Sequence, residues 1–249
     1  MVMLAGKNVV VVGASRGVGR AIVRRMAADG AQVLAVGRSR TPLEQLAGEL
    51  PGTKTLALDA ATEAAPATVF ATLRPDLLVL CGGAMPPGRP IHELTWEEFA
   101  VNWETDVRIA FSFCREALRL PLSPGATVIS ISSGAALGGS PISGGYAGAK
   151  RTQMFIANYA QKESDRLGLG LRFLALAPAR IMPDTELGRF AVDAYARYLG
   201  VSPKEFIAGM SSRQTLEDVA NATAELAGHL ADHPGVVFSI SAEGIAPVN

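Results

Sequence analysis

Short apolar runs alternate with longer stretches of mixed polarity along the whole chain. Asn8–Val12 is a nearly continuous β-branched run ending at a glycine, the pattern of a strand buried on both faces. Gln32–Val36, Lys54–Leu58, Leu77–Cys81, Thr127–Ser132, Leu171–Ala177 and Val236–Ser241 repeat that pattern. Between them, Arg20–Asp29, Leu43–Leu50, Ala67–Leu73, Trp96–Leu120, Tyr146–Leu167 and Leu216–Leu230 read as helices. Gly30 and Pro51-Gly52 close the first two. Thr215 is placed to cap the last helix, with Asp218 three residues on completing an approximate capping box. Strands separated by helices of this kind form βαβ units. The expected fold is therefore α/β, a doubly wound parallel sheet of about seven strands with helices on both faces. No repeat, low-complexity tract or linker interrupts the series, so residues 1–249 are expected to form a single domain; Pro86-Pro87-Gly88 and Gly138–Gly145 read as loops within it.

Composition narrows the interior and the partners. Hydrophobic residues make up 49% and aromatics only 6%, so Ala, Val, Leu and Ile must fill the core. Basic and acidic residues balance at 23 each, without a basic stripe, and no nucleic-acid partner is expected. A few local arginines still suffice to hold an anionic cofactor. Cys81 and Cys114 have neither metal-ligand spacing nor the look of a disulfide framework, and they read as small buried hydrophobes. No metal site is expected. No run approaches the ~20 apolar residues of a membrane span, and no signal-peptide pattern precedes the first strand, so the expectation is a soluble cytoplasmic protein without a membrane partner.

The first βα connection carries chemistry. Gly13-Ala14-Ser15-Arg16-Gly17-Val18-Gly19 lies between the first strand and the first helix. A pyrophosphate needs close backbone approach, which Gly13, Gly17 and Gly19 allow, and free N–H donors at a helix N-terminus, which the segment near Val18 supplies. Together with Tyr146-Ala147-Gly148-Ala149-Lys150 further on, this Gly-x-x-x-Gly-x-Gly turn resembles the short-chain dehydrogenase/reductase family. Tyr-x-x-x-Lys is common alone, but the two motifs in this order and separation are specific. The resemblance spans almost the whole chain, from the first strand to Val236–Gly244. It implies a Rossmann-like fold, a nicotinamide cofactor, and a dimer or tetramer built through the long helices.

The residues point to NADP(H) rather than NAD(H). The second strand ends Val36-Gly37-Arg38 without the acidic residue that would favour a free ribose hydroxyl. Arg16 and Arg38 are both positioned to meet a 2′-phosphate, unless they are simply solvated. The resemblance places Ser15 in the phosphate-binding turn, Asp59 against the adenine and Gly82 and Gly83 beside the cofactor; a turn role for Asp59 is the alternative. Cys81 stands where the family has the asparagine of Asn-Ala-Gly.

Tyr146 and Lys150 are four residues apart at the start of a helix, hence on one face. A phenol ordinarily titrates near ~10, and an ammonium beside it stabilises the phenolate, bringing proton exchange nearer neutral pH. The resemblance makes Tyr146 the proton donor and acceptor, Lys150 its partner and a cofactor ligand, and Ser133 the hydrogen-bond donor to the substrate oxygen, with Ser132 as the alternative hydroxyl. The family's catalytic asparagine aligns with Asp106, and Asn102 lies one helical turn earlier. An ionised Asp106 accepts hydrogen bonds without donating them, favours a protonated Lys150 and opposes phenolate formation at Tyr146, so an altered proton relay is expected.

After the sixth strand, Pro178-Ala179-Arg180-Ile181 stands where the family has Pro-Gly. Met182–Arg213 occupies the place of a substrate-covering segment, and its Phe190, Tyr195, Tyr198, Phe206 and Met210 serve either a largely apolar substrate or helix packing. Arg180 is expected to face solvent. The expected activity is reduction of a carbonyl, or oxidation of the corresponding alcohol, on a small molecule. The alternatives are a catalytically quiet NADP-binding regulator, or a dehydratase or isomerase on the same fold.

Overall fold

A computed structural model describes residues 4–210, 214–229 and 232–248. In chain order the elements are β1 (Asn8–Val12), α1 (Gly17–Ala28), β2 (Gln32–Gly37), α2 (Arg40–Glu49), β3 (Lys54–Ala57), α3 (Ala65–Thr72) and β4 (Leu77–Leu80). There follow α4 (Trp96–Asn102), a π-helical turn (Trp103–Val107), α5 (Arg108–Arg119), β5 (Thr127–Ile131), α6 (Ala135–Gly138), α7 (Tyr146–Leu167) and β6 (Arg172–Pro178). The C-terminal part holds α8 (Glu186–Leu199), α9 (Pro203–Ala208), α10 (Leu216–Gly228), β7 (Val237–Ser241) and β8 (Gly244–Pro247).

All described strands form one sheet in the order β3-β2-β1-β4-β5-β6-β7-β8. Neighbours are parallel except β7 and β8, which pair antiparallel. The β1 run shows why the sheet is covered on both faces. Val9 and Val11 join a core with Ile22, Val23 and Met26 of α1 and Val219 and Leu226 of α10. Val10 and Val12 join another with Val69 and Phe70 of α3 and Ile109 and Phe113 of α5. Successive side chains of a strand point to opposite faces, so an unbroken apolar run is what such a sandwiched strand requires. The strand order reverses between β1 and β4, and the crevice at the carboxyl ends of strands beside such a reversal is where open α/β sheets bind ligands.

Three features depart from the sequence pattern. The eighth strand was not expected, because Gly-Ile-Ala-Pro lacks a β-branched run; Pro247 is tolerated at a sheet edge, where its missing N–H costs no ladder bond. The segment expected as one helix over Trp96–Leu120 is instead α4 and α5 joined by the π turn, which holds Asp106. Met182–Arg213 holds α8 and α9, with residues 211–213 outside the described set. The capping box at Thr215 is present, its hydroxyl accepting from Asp218 N and the Asp218 carboxylate from Thr215 N; Leu230, the expected end of α10, lies outside the described residues. No helix among the described residues is long and apolar enough to cross a membrane.

Candidate active site

A cavity of about 930 Å³ opens along the carboxyl edge of the sheet. One set of loops brings Gly13, Ser15, Arg16, Gly17, Val18, Gly19, Arg38, Asp59, Gly82 and Gly83 to its wall; Asp106, Ser133, Tyr146 and Lys150 line it too. The residues singled out in the sequence therefore converge on one space.

The glycine turn is tightly folded. A Cβ on Gly13 would lie 2.5 Å from the backbone nitrogen of Gly82, and one on Gly19 would collide with the carbonyl oxygen of Gly13. These two glycines bring the β1 and β4 loops and α1 together. Gly17 has φ +53, and a Cβ there would meet nothing within 4 Å, which leaves open space at the N-terminus of α1. The first-turn N–H groups of that helix have no intrahelical acceptor, so the turn suits a phosphate.

The two arginines behave differently. Arg38, just past β2, is exposed. Arg16 forms an ion pair with Glu186, the first residue of α8. Asp59 Oδ1 accepts from Ala61 N at 3.0 Å, so the carboxylate closes a turn while also lining the cavity. Cys81 is half-buried at the cavity wall rather than fully inside the core, because it follows the last residue of β4. Burial pushes its thiol up to about 11; the Lys150 ammonium opposes that rise and the Asp106 carboxylate adds to it.

Tyr146 is the first residue of α7, and Lys150 sits one turn later, buried. Its Nζ donates to the Ile131 carbonyl at 3.1 Å, lies 3.1 Å from Asp106 Oδ2, and stands 5.6 Å from the centre of the Tyr146 ring. Burial alone would pull the lysine's pKa down, but the Asp106 carboxylate, followed by Tyr146, outweighs it and the net shift is upward. The ammonium is held protonated beneath the tyrosine.

Asp106 is fully buried. Its Oδ1 accepts from Ala84 N at 2.9 Å and from Asn102 Nδ2 at 3.3 Å, and its backbone carbonyl accepts from Gln153 Nε2 at 3.1 Å. Asn102 Nδ2 also donates to the Ala84 carbonyl. The carboxylate beside Lys150 is thus that of Asp106, and Asn102 supports it from the turn before. A Cβ on Gly83 would lie 2.6 Å from Asp106 Oδ2, so the β4 loop can pass over the carboxylate only as glycine. Gln153 was missed in the sequence, although its place three residues after Lys150 puts it near that helix face.

The two serines separate cleanly. Ser132 is buried and donates to the Lys150 carbonyl at 2.8 Å, so its hydroxyl is used inside the fold. Ser133 Oγ accepts from Ala135 N at 3.2 Å at the start of α6 and lines the cavity, leaving its hydroxyl proton available to another acceptor.

The remaining wall comes from loops and α8. Phe190 packs over Gly88, where a Cβ would lie 2.5 Å from its Cζ, and the hydroxyls of Tyr195 and Ser140 are 2.6 Å apart. Tyr195 stacks on Phe206 of α9 with ring centres 5.5 Å apart. Arg180 is exposed at the wall, and its backbone N–H donates to Gln214 Oε1. Among the described residues no cluster of three or more His, Cys, Asp or Glu could hold a metal ion.

The short chain dehydrogenase family model matches residues 7–191. L-xylulose reductase of Mesocricetus auratus is 30% identical over 132 residues, which cover 52% of this chain and 54% of that protein. The chain thus spans about half the length of the L-xylulose reductases it matches. A 3beta-hydroxysteroid dehydrogenase of Mediterraneibacter gnavus is 28% identical over 190 residues, 70% of this chain and 65% of the other. In fold, the chain resembles a 3-ketoacyl-(acyl-carrier-protein) reductase from Brucella melitensis, solved in complex with NADH, at a TM-score of 0.78, 23% identity and coverage of 95% and 97%. The glycine turn, the reversed strand order and the matched family model lead to one conclusion: the chain belongs to the short-chain dehydrogenase family.

Proposed function

We propose that the protein is an NADP(H)-dependent oxidoreductase that interconverts a carbonyl and an alcohol on one catalytic domain. The observation that carries this reading is the Lys150 ammonium, buried under the Tyr146 ring in the same cavity as the glycine turn and Ser133. A nucleotide-binding protein has no need of that arrangement.

Gly13, Ser15, Gly17, Val18 and Gly19 would hold the cofactor's pyrophosphate, Asp59 its adenine end, and Gly82, Gly83 and Lys150 its other half. The nicotinamide, when bound, supplies or accepts the hydride. Tyr146 gives its phenolic proton to the substrate oxygen in reduction and takes it back in oxidation. Ser133 donates a hydrogen bond to the same oxygen. Lys150 stabilises the phenolate, while Asp106 orients Lys150 and offsets part of its charge. Exposed Arg38 and Arg16, with no acid at the end of β2, support a 2′-phosphate.

We take the part of the cavity wall formed by Met85, Pro86, Ile142, Phe190, Ala191 and Ala194 as the substrate end, where these residues supply apolar surface beside the hydroxyls of Ser140 and Tyr195. That lining favours an apolar ring ketone or alcohol, as the name of the hydroxysteroid dehydrogenase relative implies, over the sugar of the L-xylulose reductases. Phe111 on α5 and Phe155 and Tyr159 on α7 are exposed, and we take that face as the contact of a homodimer or homotetramer. Two free cysteines suit the reducing cytoplasm.

One observation favours a second reading, a catalytically quiet NADP-binding regulator: Asp106 pairs directly with the lysine that should activate Tyr146. A panel of cyclic ketones, aliphatic ketones and ketoses, followed by NADPH consumption, separates the two. Turnover on a cyclic ketone supports the enzyme; binding of NADPH without turnover across the panel supports the regulator.

A further inference from the structure

Arg16 and Glu186 are 170 residues apart in the chain, yet they form an ion pair at the wall of the cavity. Both side chains are more than half exposed. Arg16 immediately precedes α1 and belongs to the glycine turn. Glu186 opens α8, whose N-terminus is capped by Thr185 accepting from Gly188 N at 2.8 Å. A carboxylate in a first helical turn is favoured by the helix dipole, but that effect alone does not require a partner on another helix. The helix tied down in this way also carries Phe190, Ala191, Ala194 and Tyr195 to the substrate end of the cavity.

The pair bears on cofactor choice because Arg16 is one of two arginines that read the 2′-phosphate in the function proposed above, on which this inference rests. We infer that Glu186 is a specificity-determining residue: its carboxylate competes with the cofactor's 2′-phosphate for Arg16, and the phosphate releases the N-terminus of α8 when it wins. A 2′-phosphate carries close to two negative charges at neutral pH and presents three acceptor oxygens, against one charge on Glu186. The guanidinium therefore exchanges its carboxylate for the stronger partner. NADH brings no phosphate to this point and leaves the pair closed. Discrimination between the two cofactors becomes smaller than two unopposed arginines would give, and phosphate recognition becomes coupled to the helix over the substrate.

The test is a titration of wild type, Glu186→Gln, Arg16→Ala and the double variant with NADPH and with NADH, read by cofactor fluorescence. Glu186→Gln is expected to tighten NADPH about two- to fivefold, the span of an exposed ion pair, and to leave NADH unchanged. In the Arg16→Ala background the same substitution is expected to have no effect on NADPH. Hydrogen exchange at the first-turn amides of α8 should rise in wild type on adding NADPH but not NADH, and should already be raised in Glu186→Gln alone. Equal tightening of both cofactors, weaker NADPH binding, or a persistent effect without Arg16 would overturn the inference. Wild type binding NADH as tightly as NADPH would instead contradict the cofactor assignment beneath it.

Discussion

Lys150 Nζ lies 3.1 Å from Asp106 Oδ2, both groups buried at the inner end of the cavity. Besides donating to the Ile131 carbonyl, the ammonium is therefore close to both the Asp106 carboxylate and the Tyr146 ring. A carboxylate here holds the ammonium charged, yet offsets part of the positive field that stabilises a phenolate.

Replacing Asp106 with Asn should move the rate-against-pH profile of alcohol oxidation to lower pH, because phenolate formation no longer works against a buried negative charge. Profiles of kcat/KM for both proteins check this, and coincident profiles would remove Asp106 from the proton path. Asp106→Leu should behave differently. It strands the Lys150 charge and should cost about 3–5 kcal/mol of stability in denaturant unfolding.

Gly83→Ala places a methyl group where the Asp106 carboxylate already lies, 2.6 Å from Oδ2. The expected loss is about 1–3 kcal/mol, with turnover falling because the carboxylate is pushed off Lys150. Gly125→Ala makes a useful contrast: a Cβ there meets nothing within 4 Å, although φ +87 still imposes backbone strain. Its damage should appear in stability and spare kcat.

The upward shift of Lys150 sets a pH window for stability. A lysine whose folded value exceeds its unfolded value of 10.5 binds its proton more tightly in the native state. Its contribution is fully present below about 10.5 and is lost as pH climbs from there through the folded-state value. The melting-temperature gap between wild type and Lys150→Met should therefore be constant from neutral pH to the unfolded value and narrow above it. A gap that widens above that value would contradict the pairing.

For the cofactor, Arg38→Ala should weaken NADPH about tenfold or more while changing NADH little, since a charge-assisted bond is lost only where the phosphate is present. Titration of both cofactors measures it. Equal losses would show that Arg38 serves the fold or the adenine rather than the phosphate.

Much of this site could be read locally. The glycine turn, the start of α7 at Tyr146 and the Thr215–Asp218 box each sit within one short segment whose residue types dictate its backbone. What escaped was set by contacts between distant segments or by weak local signals. Trp103–Val107 carries an ordinary helical pattern, and its π geometry accompanies the burial of Asn102 and Asp106 against the β4 loop. The Arg16–Glu186 pair joins residues that nothing local connects. Ser202-Pro203 with Glu205 was a legible helix start that the aromatic residues of that region overshadowed.

The central claim is that Tyr146, with the Lys150 ammonium beside its ring, moves the substrate proton. The most direct measurement is NADPH-dependent reduction of an apolar cyclic ketone by wild type and Tyr146→Phe, with NADPH affinity measured in parallel. The predicted result is a rate loss of about 10²–10⁴-fold with affinity nearly unchanged. Turnover by Tyr146→Phe at the wild-type rate would contradict it.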